Sequence, residues 1–172
     1  ITYNDNAMIN ALTVLWDVAH GEEGLDVVSA SLKVPAKNAV AKGIDCILKT
    51  QVVIDGKPTV WCAQLDKKTF LPVKARAFEL ASLSGSESVG ILNFLMKLKD
   101  PSPAVKSAVV YAVEWLKKAK IRGYAYKEVS DPSQPKGRDR VLVKDDFSFV
   151  WARFYDLETG KPLFAGRDGK KR

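Results

Sequence analysis

Two cations stand two residues apart in the segment Val73–Ser88, where Lys74 and Arg76 precede a serine-rich stretch. If this segment is extended, the two-residue period of a strand puts Lys74, Arg76 and Phe78 on one face. Two cations would then share one surface. An ordinary edge strand also carries lysine for solubility. The spacing alone therefore does not decide between a solvated edge and a site that does chemistry.

Carboxylates lie near predicted element ends and loops at five places. Two of them at a suitable separation could hydrolyse a glycosidic bond, one as acid and the other as base or nucleophile. Structural roles are equally available: Asp5 can cap a helix, and Glu87 has capping-box spacing from Ser84. The five positions are Asp5, Asp66, Glu79, Glu87 and Asp168.

Aromatic and polar residues cluster in the segments W-C-A-Q-L-D, from Trp61, and W-A-R-F-Y-D, from Trp151. The tryptophans suit either core packing or stacking against sugar rings. Arg153 and Arg167 stand beside aromatic and glycine residues, where an arginine rarely serves the core. A guanidinium binds carboxylates with two parallel hydrogen bonds, so these arginines favour an anionic ligand.

Several kinds of site have no motif support. The sequence contains no G-x-G-x-x-G, no P-loop and no H-E-x-x-H. Its one histidine, His20, falls at the end of a predicted helix, which argues against a histidine-based triad. Cys46 and Cys62 are too few for a disulfide framework or a zinc site, and either a pair or two buried thiols fits the sequence.

Composition is typical of one globular domain: 172 residues, 47% hydrophobic and 27% charged. The formal charge of +7 favours an anionic partner and leaves nucleic acid, acidic polysaccharide and anionic membrane surfaces open. No apolar run is long enough to span a membrane, and no signal peptide is evident. A start at Ile1 indicates a processed chain or a fragment.

Four helices are predicted from apolar periodicity and start signals. The first runs from Ala7 to His20, with cap oxygens offered just before it, and the second begins at Pro35 and ends near Thr50. Ser84 begins the third and Ser102 the fourth. Short hairpins around Asp55-Gly56 and after residue 140 complete a mainly helical prediction with minor β structure and no internal repeat.

Six segments, which occur in family order and span nearly the whole chain, together resemble the pectate lyases of polysaccharide lyase family 10. The resemblance implies an (α/α) toroid of which residues 1–172 are part of one catalytic domain, since family members carry further chain before and after the matching segments. The segments are I-T-Y-N-D-N-A-M from Ile1, T-V-W-C-A-Q from Thr59, A-R-A-F-E from Ala75, S-L-S-G-S-E-S-V-G-I from Ser82, W-A-R-F-Y-D from Trp151 and F-A-G-R-D-G from Phe164.

The activity that the resemblance implies is Ca²⁺-dependent anti β-elimination of polygalacturonate, which gives 4,5-unsaturated oligogalacturonides. By resemblance, Asp5 is a calcium ligand, Arg76 the base, and Arg153 and Arg167 bind substrate carboxylates. Lys74 is expected to bind substrate and to favour loss of the Arg76 proton as a nearby cation. The resemblance also implies a secreted, extracellular microbial monomer with no nucleic-acid or membrane partner.

Arginine is a demanding base, because its reference pKa is about 12.5 to 13.8. Two other functions therefore stay open at this point. One is a glycoside hydrolase on a similar helical toroid, which would use a carboxylate pair. The other is a non-catalytic module that binds an anionic polysaccharide or nucleic acid, with salt-sensitive binding and no turnover.

Overall fold

Four helices pack around one core in a computed structural model that describes residues 1–22 and 24–172. Helix α1 contacts α2, α3 contacts α4, and the pairs meet through α1 with α3 and α2 with α4. None of the described helices is long and apolar enough to cross a membrane. Their bounds are α1 Ala7–His20, α2 Ala30–Lys49, α3 Gly85–Met96 and α4 Pro103–Lys118.

The predicted starts of α1, α3 and α4 are confirmed, whereas that of α2 is wrong. The Ser102 hydroxyl accepts a hydrogen bond from the Val105 amide at 3.3 Å and caps α4. Helix α2 begins at Ala30 because Ser29 caps it, and Pro35 lies inside the helix. At α1 the N-cap residue forms no side-chain cap hydrogen bond, so the predicted capping oxygens serve other purposes.

The core is built from all four helices and the segment that begins at Val60. Cys62 lies within this core and Cys46 is half-buried; both are free thiols, so the paired alternative is wrong. Burial of this apolar surface supplies the main driving force for folding. Its largest fully buried side chains include Tyr3, Ile47, Trp61, Leu65, Leu83, Ile91, Leu95 and Tyr155.

Two short antiparallel pairs connect loops to the helices. Strands β1 (Val53–Ile54) and β2 (Lys57–Pro58) form the predicted hairpin, and positive φ angles at both turn residues, Asp55 and Gly56, suit a two-residue hairpin turn. Strand β3 (Leu83–Ser84) pairs with β6 (Phe154–Tyr155). This second pair holds the start of α3 beside the segment that contains Arg153.

A long hairpin lies between α4 and β6, where only short strands were predicted. Strand β4 (Ile121–Ser130) pairs with β5 (Arg138–Val150) in antiparallel register. The chain is about 40% helical and 22% strand, so the prediction of a mainly helical (α/α) toroid with minor β hairpins is wrong. Both long strands carry many exposed polar residues. These residues weaken the alternation of apolar and polar positions by which a strand is recognised in a sequence.

An internal structural repeat is also present, contrary to the sequence prediction. Segments 61–73 and 151–163 each begin with a tryptophan and fold into the same aspartate-centred turn. Asp66 Oδ1 accepts hydrogen bonds from two backbone amides of its own turn, and Asp156 Oδ1 does the same. Each turn ends in an isolated bridge, Leu65 with Pro72 and Tyr155 with Pro162.

Candidate active site

Asp5 and Arg76, which are far apart in sequence, form an ion pair at the surface. An Arg76 Nη2 proton is donated to Asp5 Oδ2, and the two side chains are 53% and 61% exposed. The structure thus brings together the two residues for which the sequence analysis predicts the base and the metal ligand. Both remain reachable from solvent.

An unusual backbone turn positions Asp5. The amides of Tyr3 and Asn4 donate to the carbonyl of Ala63 at 2.9 and 3.0 Å, which fixes the chain just before it. Asp5 and Asn6 then adopt φ angles of 54° and 56°. Non-glycine residues with positive φ are strained, and such strain is concentrated at functional sites. The strained turn projects the Asp5 carboxylate outward ahead of α1.

Close packing against α3 supports this turn. A Cβ added at Gly90 would overlap Asn6 Oδ1, so only glycine leaves room for the Asn6 side chain there. Asn6 Oδ1 and Asn4 Oδ1 are both buried, and neither accepts a hydrogen bond among the described residues. The side chains on either side of Asp5 are therefore packed into the protein, while Asp5 faces solvent.

Arg76 lies in a tight turn rather than in an extended strand. The Glu79 amide donates to the Arg76 carbonyl at 3.0 Å, and the Ala75 amide donates to the Glu79 carbonyl at 2.9 Å. The predicted face of alternating residues therefore ends at this turn. The turn folds Glu79 back beneath Arg76.

Glu79 is the buried centre of the site, with 1% of its side chain exposed. Its carboxylate accepts hydrogen bonds from Asn4 Nδ2 at 2.8 Å and from the Arg76 amide at 3.2 Å. Arg76 Nη1 lies 3.4 Å and Arg153 Nη2 3.1 Å from Oε1. A buried carboxylate is tolerated when it is paired and hydrogen-bonded in this way. Glu79 fixes both guanidinium groups.

Glu87 forms a second buried carboxylate beside the first. Arg153 Nη2 lies 3.7 Å from Glu87 Oε1, and the Ser84 hydroxyl donates to the other carboxylate oxygen. The predicted capping box is thus replaced by a side-chain contact, since Ser84 forms no cap hydrogen bond to the helix backbone. Arg153 bridges Glu79 and Glu87.

Arg153 is positioned by the β3–β6 pair. Its carbonyl accepts a hydrogen bond from the Gly85 amide at 2.8 Å, and its guanidinium lies 4.8 Å from the Phe154 ring centroid. The Arg153 side chain is 43% exposed. Because an arginine has five N–H donors, those facing solvent stay available for an anionic ligand.

Lys74 and Arg167 lie at the edge of this cluster. Arg167 is exposed in a turn closed by the Gly169 amide and the Gly166 carbonyl at 2.9 Å. A Cβ added at Gly169 would lie 3.2 Å from Lys74 Nζ, so this turn packs against Lys74. Within residues 1–22 and 24–172, neither Lys74 nor Arg167 forms an ion pair. Their charges are therefore free to meet an anionic ligand.

The electrostatic surroundings of Arg76 differ from the expectation. The hydrogen bond and charge of Asp5, followed by the charges of Glu79 and Glu87, raise the pKa of Arg76 above its usual value. Carboxylates rather than cations contact the guanidinium and dominate this shift, so the lowering effect of Lys74 stays a prediction.

The donor atoms fit calcium only in part. Ca²⁺ takes six to eight oxygen ligands. Asp5 offers an exposed carboxylate, but the described part of the chain contains no group of three or more His, Cys, Asp or Glu residues that could hold a metal ion. These residues can supply one calcium ligand and not a complete site.

Sequence reasoning missed the part played by the two buried glutamates. From the sequence, Glu79 is one carboxylate among five, and Glu87 is predicted only as a capping-box partner of Ser84. The signal that could have found Glu79 is its place three residues after Arg76 in A-R-A-F-E, where a tight turn brings both side chains together. The predicted Asp66 and Asp168 carboxylates lie outside the cluster: Asp66 binds its own turn and Asp168 pairs with Arg172.

Comparison with known proteins identifies the family. The pectic acid lyase family matches residues 1–172. A family 10 polysaccharide lyase from Cellvibrio cellulosa is 42% identical with a TM-score of 0.86, and an aspartate-to-alanine mutant of this lyase in complex with trigalacturonic acid is 42% identical with a TM-score of 0.87. Each match covers 99% of this chain and 52% of the other, so the chain spans about half the length of these structures. Curated protein sequences give no match. The chain belongs to the pectic acid lyase family.

Proposed function

We propose that this chain cleaves polygalacturonate by anti β-elimination and releases 4,5-unsaturated oligogalacturonides. The observation that carries the proposal is the convergence of Asp5, Arg76 and Arg153 over the buried Glu79 in a member of the pectic acid lyase family. Cleavage as a secreted monomer, expected from the resemblance, is part of the same proposal.

The cluster has two layers with different roles. The lower layer, Glu79 and Glu87, is buried and holds the arginines in place. The upper layer is exposed and cationic, with Lys74 and Arg167 beside the two held arginines. Uronic acid units carry one carboxylate each, so a chain of them matches a row of guanidinium and ammonium donors. Preorganised cations also stabilise negative charge that develops on a carboxylate during the reaction.

Arg76 would act as the base in its neutral form. It takes the C5 proton of a uronic acid unit, the C5–H electron pair forms the C4–C5 double bond, and the C4–O bond breaks with its electron pair on the departing sugar oxygen. That oxygen takes a proton from solvent. Arg153, Arg167 and Lys74 bind the substrate carboxylates and stabilise the enediolate that forms at C5 and C6.

Asp5 connects proton removal with metal binding. The carboxylate can pair with Arg76 or bind a cation; in the second case Arg76 loses its strongest anionic neighbour and its pKa falls. Bound Ca²⁺ supplies positive charge that makes the C5 proton more acidic. Its other ligands would come from substrate carboxylates and water.

The hydrolase alternative has less support. A glycosidase needs two carboxylates that face the sugar, one of them as a proton donor. Glu79 and Glu87, the carboxylates nearest Arg153, are buried and paired with its guanidinium. Burial hides both carboxylates from substrate, as a positioning role requires.

The decisive experiment follows ultraviolet absorbance while the protein acts on polygalacturonate, with calcium or with a chelator. We expect absorbance to rise with calcium only, and to stay flat for Arg76→Ala. Lys42→Ala, which removes an exposed cation from α2, is the control and should react as the unchanged protein. New reducing ends without absorbance would indicate a hydrolase. Binding without any product would indicate a non-catalytic module.

A further inference from the structure

The long hairpin presents two chemically different faces. Residues directly opposite each other in an antiparallel pair share a face, and one face is exposed along its length. This exposed face is the Tyr124 face. It consists of Tyr124, Tyr126, Glu128 and Ser130 on β4 and Arg138, Arg140, Leu142 and Lys144 on β5. The other face carries Ala125, Lys127, Val129, Asp139, Val141 and Val143.

The Tyr124 face carries a net positive charge and exposed aromatic rings. Three cations stand against one carboxylate, Glu128, which pairs with Arg138 at 2.8 Å and Arg140 at 3.5 Å. Arg140 lies 5.9 Å from the Tyr126 ring centroid, and Tyr126 is 56% exposed. On the opposite face, one cation balances one carboxylate. The charge excess therefore lies on the side with the tyrosines.

A bulge adds another exposed aromatic ring near the base of the hairpin. The register shifts between Arg122 and Tyr124, where Gly123 adopts a φ of 83°. Opposite this shift, Phe147 is 100% exposed. Bulges commonly redirect side chains next to functional sites. An apolar ring entirely in water has no role in the packing of this chain.

The base of the hairpin lies close to Arg153 along the chain and is anchored to α4. Strand β5 ends at Val150, only three residues before Arg153, and Trp151 Nε1 donates to the Leu116 carbonyl at 2.8 Å. Lys120 lies 4.1 Å from the Phe149 ring centroid at the same level. With about 3.4 Å per residue, β4 extends the surface by roughly 30 Å from this anchored base.

We propose that the Tyr124 face binds a further stretch of an acidic polysaccharide chain that is engaged at Arg153. The identity of the polymer rests on the proposed function. Sugar rings have apolar faces that stack on tyrosine, and their carboxylates pair with arginine and lysine. A nucleic acid is a poorer fit, because its affinity comes from neutralising many phosphates and this face has an excess of only two cations.

Affinity electrophoresis of the full chain in polygalacturonate tests this assignment. Tyr126→Ala and Lys144→Ala should each weaken polymer binding about fivefold to tenfold, with turnover of trigalacturonate unchanged. Lys127→Ala, on the other face of the same hairpin, removes the same charge as Lys144→Ala and should bind within twofold of the unchanged protein. An unchanged thermal unfolding midpoint shows that each variant is folded, whether or not the trimer is turned over.

Three results would separate the possible failures. Equal polymer binding by Lys144→Ala, Tyr126→Ala and Lys127→Ala would overturn the hairpin assignment. If Tyr126→Ala and Lys144→Ala weaken binding of single-stranded DNA as much as binding of polygalacturonate, the hairpin is a general polyanion surface. That result would also overturn the polysaccharide assignment. Face-dependent polymer binding without any unsaturated product would support the hairpin surface and overturn the lyase function instead.

Discussion

The two aspartate-centred turns have the same backbone but deliver different chemistry. In each turn, the residue two positions after the tryptophan uses its carbonyl to hold a neighbouring segment. The Ala63 carbonyl accepts from the Tyr3 and Asn4 amides, whereas the Arg153 carbonyl accepts from the Gly85 amide. The first turn thus positions Asp5 through its backbone alone. The second positions its own side chain, Arg153.

The difference shows how a site can be built on a repeated scaffold. Ala63 is 4% exposed and belongs to a small apolar cluster, and the equivalent Arg153 reaches across to two buried glutamates. The backbone hydrogen bonds that form each turn do not depend on the side chain at this position. One copy could therefore change from alanine to arginine, or the reverse, without losing its turn.

The largest effect is expected at Arg76. Its position after the first turn corresponds to that of Gly166 after the second turn. Arg76→Gly should lower turnover of polygalacturonate by about 10²- to 10⁴-fold, the usual contribution of a proton-transfer group. Arg76→Lys sharpens the test, since the reference pKa of lysine is about two units or more below that of arginine. Its rate should reach a plateau at lower pH. An unchanged pH–rate profile in Arg76→Lys would rule out the base role and leave only charge stabilisation.

Some of this site could be predicted from the sequence and some could not. The motif residues Asp5, Arg76 and Arg153 were identified from the family resemblance, and the structure brings them together. Glu79 was not assigned a role, because its position under both arginines depends on a turn at Arg76 that the sequence pattern presented as a strand.

The elements show the same limit. The start of α4 was predictable because Ser102 and Pro103 are local signals. The long β4–β5 hairpin was not, because polar and charged residues occupy many positions on both strands and weaken the alternation of apolar and polar residues. The repeated turn also escaped detection because only a few of its positions, notably the tryptophan, aspartate, threonine and proline, are identical in both copies.

Arg153→Ala makes the second turn resemble the first and should give the next largest effect. We expect KM for polygalacturonate to rise by about tenfold or more, because a bound carboxylate loses a charged partner. The protein should also lose about 1 kcal/mol of unfolding free energy, since the buried Glu79 and Glu87 lose a partner and Arg153 is partly solvated. Initial rates and urea unfolding measure the two effects.

A double variant separates the binding and structural contributions of Arg153. Adding Glu79→Gln to Arg153→Ala removes the buried charge that the arginine had neutralised, so stability should partly recover while KM stays high. If the double variant is less stable than both single variants, Glu79 does not depend on Arg153 for its charge, and the two-layer description of the site is wrong.

The two turns place different residue types at the same left-handed backbone position. Phe70 has a φ of 60° and the equivalent Gly160 a φ of 65°. Nothing lies within 4 Å of a Cβ added at Gly160, so Gly160→Ala tests the backbone alone. It should lower the unfolding free energy by about 1 to 2 kcal/mol, the cost of a left-handed L-residue. Glu158→Ala in the same turn should change it by less than about 0.5 kcal/mol; an equal loss in both would contradict the strain argument.

The smallest effect concerns the aspartates at the centre of each turn. Backbone amides lower the pKa of Asp66, and at Asp156 the Lys171 ammonium is the largest cause of a stronger lowering. A carboxyl group whose pKa is lower when folded stabilises the protein above its unfolded pKa of about 3.9, and that contribution is lost as the pH falls further. Thermal unfolding compared between about pH 5 and pH 1.5 should therefore show a smaller loss of stability on acidification in Asp156→Asn than in Asp66→Asn, because the two contributions separate only in the lower part of this range. Added salt should reduce this difference between the two variants. Salt screens the exposed ion pair of Asp156 with Lys171, whereas it does not screen the amide hydrogen bonds that both turns share. A gap that salt leaves unchanged would mean that the two turns differ in backbone geometry rather than in charge.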